Sequence, residues 1–240
     1  MAERRIVSER IQKRRYLEIQ RASRVIFESE NSMSSAPQIN GKLRSFALRV
    51  PEQISECSGI VINGKRIRSL VFSTDVAIIR NVDADAVFAV YPYTPQPIIT
   101  EMLVHAADIP VFAGVGGGLV KGPAGVVVNA PTTDRVVRAL GDTVDIPVVV
   151  TAVNSEGIDE RIRCGASIIN VAGGSKTPDI VKEIRDKYPD VPIIASGGDT
   201  DESVLTTIKA GANAIVWTPP SNGEVFRAVM DAYREGKEHP

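Results

Sequence analysis

The chain has little with which to bind a metal or build disulfides: two cysteines and two histidines in 240 residues. Cys57 and Cys164 lie far apart and form no C-x-x-C pair. Neither a disulfide framework nor a zinc site is expected, and a reducing cytoplasm is the expected setting. His105 and His239 are too few for histidine-rich metal chemistry. Long apolar runs are missing too. None approaches the roughly 20 residues that span a bilayer, and the start Met-Ala-Glu-Arg-Arg lacks the apolar core and cleavage site of a secretory signal. An excess of one charge is also absent. The 28 Lys and Arg against 29 Asp and Glu leave a net charge of -1, which argues against a dedicated nucleic-acid or membrane-surface binder.

What remains is an ordinary globular composition, 43% hydrophobic and 24% charged. Charge is nevertheless placed unevenly. Residues 1–50 hold eleven Lys or Arg against five Glu, while the remainder holds seventeen against twenty-four acidic groups. Residues 2–28 read as an Arg-rich helix with Ile6, Ile11, Leu17 and Val25 on it, and Asn31–Gly41 as a linker. We therefore divide the chain into an N-terminal helical extension with linker, 1–42, and a main domain, 43–240. The basic helix suits packing or a subunit contact that would make a homo-oligomer better than it suits an RNA arm.

From Ser69 onward, short apolar runs recur at a fairly even pitch: Ser69–Ser73, Ala86–Tyr91, Pro110–Gly114, Gly125–Asn129, Pro147–Thr151, Ser167–Val171, Pro192–Ser196 and Asn213–Trp217. They are rich in Val and Ile and do not alternate, as expected of strands buried on both faces of a parallel sheet. Helical patterns such as Pro178–Tyr188, Asp201–Ala210 and Gly223–Arg234 separate them. Three strands open with Asp-(Ile/Val)-Pro at Asp108, Asp145 and Asp190, alternating with strands entered through small residues. Proline suits a strand's first position, where its missing N–H breaks no ladder bond. Eight strands with helical crossovers and a two-unit repeat predict a closed (β/α)8 TIM barrel. The ten residues between Gly114 and Gly125 include Pro123 and leave no room for a full third crossover helix. Before the ring, Ser58–Ser69 reads as a hairpin turning at Asn63-Gly64, which would cover the barrel's N-terminal opening.

In such barrels the site is built from the C-terminal strand ends. Those ends supply Asp75, Tyr91, Tyr93, Gly116, Gly117, Gly118, Lys121, Asn129, Thr151, Asn154, Asn170, Gly173, Gly174, Ser196, Gly197, Gly198, Asp199, Thr218 and Ser221. The ring is polar, glycine-rich and nearly uncharged. Glycines let backbone N–H groups approach an anion closely, although they also permit tight strand-to-helix turns. Asp75 suits either a general base or an N-cap for a helix over Val76–Asn81. Lys121 suits either an electrostatic clamp or a solvated loop. Asn129, Thr151 and Asn170 can orient a substrate or satisfy strand-end backbone groups. Tyr91 can wall a pocket or pack under a loop. Gly114-Val-Gly-Gly-Gly-Leu119 fails as a dinucleotide fingerprint, because Leu119 takes the third glycine's place, and no cofactor is expected.

The stretches Pro192-Ile-Ile-Ala-Ser-Gly-Gly and Ala210-Gly-Ala-Asn-Ala-Ile-Val resemble the last two β/α units of phosphate-binding barrels. That superfamily includes thiazole synthase, indole-glycerol-phosphate synthase and the inosine-monophosphate dehydrogenase type. Residues 70–235 are also similar to an uncharacterised bacterial TIM-barrel family that goes by the label "hydrolase". The resembling segments are Ser73-Thr-Asp, Ala89-Val-Tyr-Pro-Tyr-Thr-Pro, Gly114-Val-Gly-Gly-Gly, Val127-Val-Asn-Ala-Pro and Trp217-Thr-Pro-Pro-Ser. The phosphate-binding pattern ends its eighth strand in a glycine; here Thr218-Pro219-Pro220 stands instead, and proline offers no N–H. An anion would then rest on Gly197, Gly198, the Thr218 and Ser221 hydroxyls and the last helix N-terminus. The expected function is a metal-independent lyase, isomerase or synthase acting by proton transfer on a small anionic, phosphorylated or non-phosphorylated, metabolite. Hydrolysis with Asp75 activating water and a non-catalytic binding or assembly role are the alternatives.

Overall fold

A two-stranded antiparallel hairpin, β1 (Ile60–Ile62) and β2 (Lys65–Ile67), precedes the main sheet. Its turn places Asn63 at φ 49° and Gly64 at φ 79°, the positive pair that a type I′ turn requires and that Asn-Gly supplies at low cost. The computed structural model describes residues 48–236 except Pro95, Gly118, Leu119, Gly197 and Asp199. All described residues belong to one compact unit, Phe46–Pro240. The expected N-terminal helix, linker and self-association surface lie outside the described residues.

Eight parallel strands follow: β3 (Ser69–Phe72), β4 (Ala86–Ala89), β5 (Val111–Gly114), β6 (Gly125–Val128), β7 (Val148–Ala152), β8 (Ile168–Val171), β9 (Ile193–Ser196) and β10 (Ala214–Trp217). Each pairs with the next, and β10 pairs with both β9 and β3, so the sheet closes into a TIM barrel. The crossovers carry α1 (Val76–Arg80), α2 (Pro97–Ala106), α3 (Asp134–Thr143), α4 (Ile158–Arg163), α5 (Thr177–Lys187) and α6 (Asp201–Lys209); α7 (Asn222–Arg234) follows the last strand. Between β5 and β6 a 3₁₀ turn, Val115–Gly117, stands in place of a helix, as the short, glycine-rich connection requires.

Alternation along each strand sorts the side chains into two layers. Leu70, Phe88, Phe112, Val127, Val149, Ile168, Ile194 and Val216 point inward and form one cluster together with Ile60, Ile62 and Ile67 of the hairpin. The hairpin therefore closes the N-terminal opening with its apolar face. Phe112, at 0% exposure, fills the axis; removing such a ring from water is worth on the order of 1.5–3 kcal/mol. Outward-facing Val126, Val150, Ile169, Ile193 and Ile215 meet the helices in a second cluster. The segment before the hairpin contributes Ile54 and Cys57 to that outer cluster, while α7 buries none of its residues.

Candidate functional site

The same alternation decides what faces the barrel's C-terminal mouth. Counting two residues on from the inward layer brings Phe72, Val90, Gly114, Asn129, Thr151, Asn170, Ser196 and Thr218 inward at the strand ends. The mouth is thus apolar along β3–β5 and carries hydroxyls and amides along β6–β10.

On the polar side three predicted residues are joined. Asn170, at 2% exposure, donates its side-chain amide to Thr151 Oγ1 at 3.3 Å and accepts from the Ser196 hydroxyl at 2.9 Å. Neighbouring strands β7, β8 and β9 hold the three in register. A buried amide must find partners or carry a desolvation cost of a few kcal/mol, so this chain fixes all three rotamers.

Above it, the loops after β8 and β9 enclose a cleft of about 380 Å³ lined by Gly174, Ser175, Thr177, Gly198, Thr200 and Ser203, among others. Thr177 is the fastener of this region, a residue that sequence reasoning missed. Buried at the start of α5, it accepts from the Gly173 N–H at 3.1 Å and donates to the Ser196 carbonyl at 3.3 Å. Gly198 sits at φ +111°, and a Cβ there would come within 2.8 Å of Ser203 Oγ. Both conformation and space therefore require glycine at this position. Gly197 lies outside the described residues. Gly174, at φ +60°, begins the 3₁₀ turn leading into α5. Among the described residues, no side chain lining this cleft is charged.

Across the mouth, Tyr91, Tyr93, Val115, Gly116, Asn129 and Thr132 are among the residues lining a second cleft of about 280 Å³. The Tyr91 hydroxyl is tied to the Gln96 backbone, accepting from its N–H at 3.1 Å, so this ring both walls the cleft and anchors a loop. Gly117 closes the 3₁₀ turn beside it. Arg161, on α4, holds the loop that follows Asn129. It donates to the Thr132 carbonyl and to the Ala130 carbonyl at 3.3 Å, and pairs with Asp134 at 3.0 Å. Its place in the run Asp159-Glu-Arg-Ile-Arg163 gives no hint of this role.

Asp75 caps α1: its Oδ1 accepts from the Ala77 and Ile78 N–H groups at 2.8 and 3.3 Å. Oδ2 accepts from the Asn222 side chain, so the carboxylate also ties the loop after β3 to the start of α7. Lys121 is exposed between β5 and β6 and lines neither cleft.

The last helix N-terminus differs from expectation. Ser221 donates to Glu224 Oε2 at 2.7 Å and accepts from the Glu224 N–H at 3.3 Å, while the Ser221 N–H reaches the same carboxylate at 2.8 Å. These bonds hold the Glu224 carboxyl below the usual carboxylate range, the Ser221 side chain contributing most. An anion expected at Ser221 would meet an anion already there. Thr218 is exposed at the end of β10.

A more voluminous cavity, about 620 Å³, lies elsewhere. It runs along the outside of the barrel by Arg49–Ser55 and reaches Ser69 and Asp85 at the N-terminal ends of β3 and β4. Its polar groups serve the fold: Asp85 accepts from the Arg68 and Ser69 N–H groups, and Asp83 from the Val50 N–H. Among the described residues no helix is long and apolar enough to cross a membrane. No group of three His, Cys, Asp or Glu among them is placed to hold a metal ion.

No protein-family model matches the sequence, and no curated protein does. Solved structures do match. A protein assigned as a phosphonomutase from Burkholderia cenocepacia superposes with TM-score 0.54 at 14% identity, over 81% of this chain and 96% of that one. A thiamine phosphate pyrophosphorylase from Pyrococcus furiosus gives TM-score 0.51 at 14% identity, over 74% and 88%. The likeness is one of fold. The hydrolase label drawn from sequence resemblance finds no support among these neighbours.

Proposed function

We propose that the chain is an enzyme acting on a small anionic metabolite at the C-terminal mouth, by proton-transfer chemistry of the lyase, isomerase or synthase kind. The observation carrying this reading is the Thr151–Asn170–Ser196 chain at the mouth. A barrel kept only for its fold gains most by apolar packing inside, yet here three adjacent strands spend their last inward positions on polar groups. The cleft between the starts of α5 and α6, whose described lining residues carry no charged side chain, is the place for the anion in this reading. This cleft replaces the Ser221 terminus in the assignment, because Glu224 already fills the latter. By fold analogy alone, the phosphate and phosphono groups in the names of the two neighbours favour a compound bearing such a group.

Asp75 is the proton-transfer group in this reading, with Asn222 setting the direction of Oδ2. Asn129 faces the bound molecule from the opposite cleft. The test is a melting experiment with inorganic phosphate. At roughly 100-fold excess over Kd, a ligand of the native state stabilises it by about 2.7 kcal/mol. Ser175→Asp, which adds a negative charge to an exposed position of the cleft, removes the response. If phosphate leaves the melting temperature unchanged, or if Ser175→Asp responds fully, the anion site is wrongly placed.

A further inference from the structure

We propose that the molecule bound at this mouth carries an aromatic ring, received by the apolar side formed by β3, β4 and the loops after β4 and β5. The inference rests on the reading above for where the ligand enters. Its support is separate: the division of the mouth into an apolar and a polar half.

Phe72 is the observation to explain. It ends β3 on the inward-facing side, as the burial of Leu70 two residues earlier shows, yet its side chain is 39% exposed. Its ring lies 6.4 Å from that of Phe88, tilted by 42°, within the 4.5–7 Å range of favourable aromatic pairs. A phenyl group at the strand's last inward position, packed against a buried ring and still partly exposed, presents a preformed surface to a ligand. Val90 continues that surface along β4, packing on the same inner cluster. From Val90 it passes into the cleft walled by Tyr91, Val115 and Val127.

Size and chemistry agree. An apolar cavity of about 150 Å³ holds one benzene molecule, so the 280 Å³ of this cleft accommodates one substituted ring. Gly114, at the junction of the cleft and the inner surface, leaves the space open. A Cβ there would have only ordinary contacts, 3.7 Å to the Ala89 carbonyl and 3.8 Å to Val90, so nothing in the local packing forbids a larger side chain. Asn129 lines the same cleft, placing an amide where the ring's polar substituent would emerge toward the Thr151–Asn170–Ser196 chain. An amphiphilic compound, with a ring on β3–β5 and an anionic group over β8 and β9, satisfies both halves at once.

Titration of the full chain with inorganic phosphate, phenyl phosphate and benzyl alcohol tests this, with Phe72→Ala and Gly114→Ala as variants. Phenyl phosphate is expected to bind about tenfold tighter than inorganic phosphate, the order of magnitude for burying one ring. Phe72→Ala should cut that advantage to about threefold or less. Gly114→Ala, whose fold is undisturbed by its ordinary contacts, should reduce it as well. Benzyl alcohol should bind weakly to the unmodified chain and not detectably to Phe72→Ala. Equal binding of the two phosphates, or an advantage that both variants retain, overturns the inference and leaves the anion site standing. Benzyl alcohol binding that depends on Phe72, without any response to inorganic phosphate, sustains the aromatic site and defeats the anion reading. Failure of all three probes defeats both.

Discussion

Asn222, the first residue of α7, donates its side-chain amide to Asp75 Oδ2 across 147 positions of the chain. The bond joins the loops that leave the first and last strands of the ring, and it shares a carboxylate with the cap of α1. Cap and catalysis can be separated by substitution. Asparagine caps a helix about as well as aspartate, and its NH2 can donate to Asn222 Oδ1 once that amide turns over, so Asp75→Asn should melt close to the unmodified protein and lose turnover. Asp75→Ala should lose turnover and also about 1 kcal/mol of stability, read by urea unfolding. Full turnover in Asp75→Asn would leave the residue a cap alone.

The Thr151–Asn170–Ser196 chain predicts a stability effect independent of any substrate. Asn170→Ala leaves both hydroxyls short of a partner and opens a cavity, and should cost about 1–3 kcal/mol. Thr151→Val keeps the shape but takes the acceptor from the buried Asn170 amide; it opens no cavity and should cost less than Asn170→Ala. Denaturant midpoints at constant slope check the order.

Arg161 spans two carbonyls and a carboxylate through both terminal nitrogens of its planar guanidinium, a spread that the compact ammonium of lysine does not reproduce. Arg161→Lys should therefore fail to rescue the loop over residues 130–133. Hydrogen exchange of the Thr132 amide, which bonds to the Asn129 carbonyl at 3.0 Å, should speed up in both Arg161→Ala and Arg161→Lys.

Glu224 gives a pH dependence of known sign. Its pKa in the folded protein is depressed, chiefly by the Ser221 hydroxyl. Its contribution to stability is thus present above the ordinary carboxylate pKa and lost as pH falls through the depressed value. Glu224→Gln should melt lower than the unmodified chain at neutral pH, and the two curves should converge under acid conditions. A gap that widens as pH falls would contradict the assignment.

Cys57 is buried, and burial outweighs the opposing pull of Arg68, pushing its thiol up to about 12. Cys164 is shifted upward as well, first by burial and then by its bond to Glu160. Thiolate is the reactive form, so neither cysteine should label with iodoacetamide at pH 8 until the chain unfolds. Native-state labelling at full rate would show the outer cluster to be open.

The barrel was legible because strands buried on both faces cannot alternate, leaving Val/Ile runs such as Val126–Val128 and Ile168–Ile169 that helices of this length do not need. Asn63-Gly64 marked the hairpin for the opposite reason, since few other pairs tolerate its backbone. The site was legible only as a set of strand ends. Phe72 escaped because its apolar character merged with the strand run, although its even spacing from Leu70 carried the signal. Thr177 and Arg161 act through contacts between loops, which no local pattern encodes. Ser221 misled for a different reason: its hydroxyl looked free, although Glu224 three residues on completes the Ser-x-x-Glu pattern of a capping box, which the sequence displays.

A titration of the ¹⁵N-labelled chain with inorganic phosphate tests the central claim most directly, because it locates the anion by residue. The amides of Ser175, Thr177, Gly198 and Thr200 should shift together and saturate with one dissociation constant. Saturable shifts confined to Arg49, Arg68 and the N-terminal ends of β3 and β4, or no saturable shift anywhere, would contradict a functional site at the C-terminal mouth.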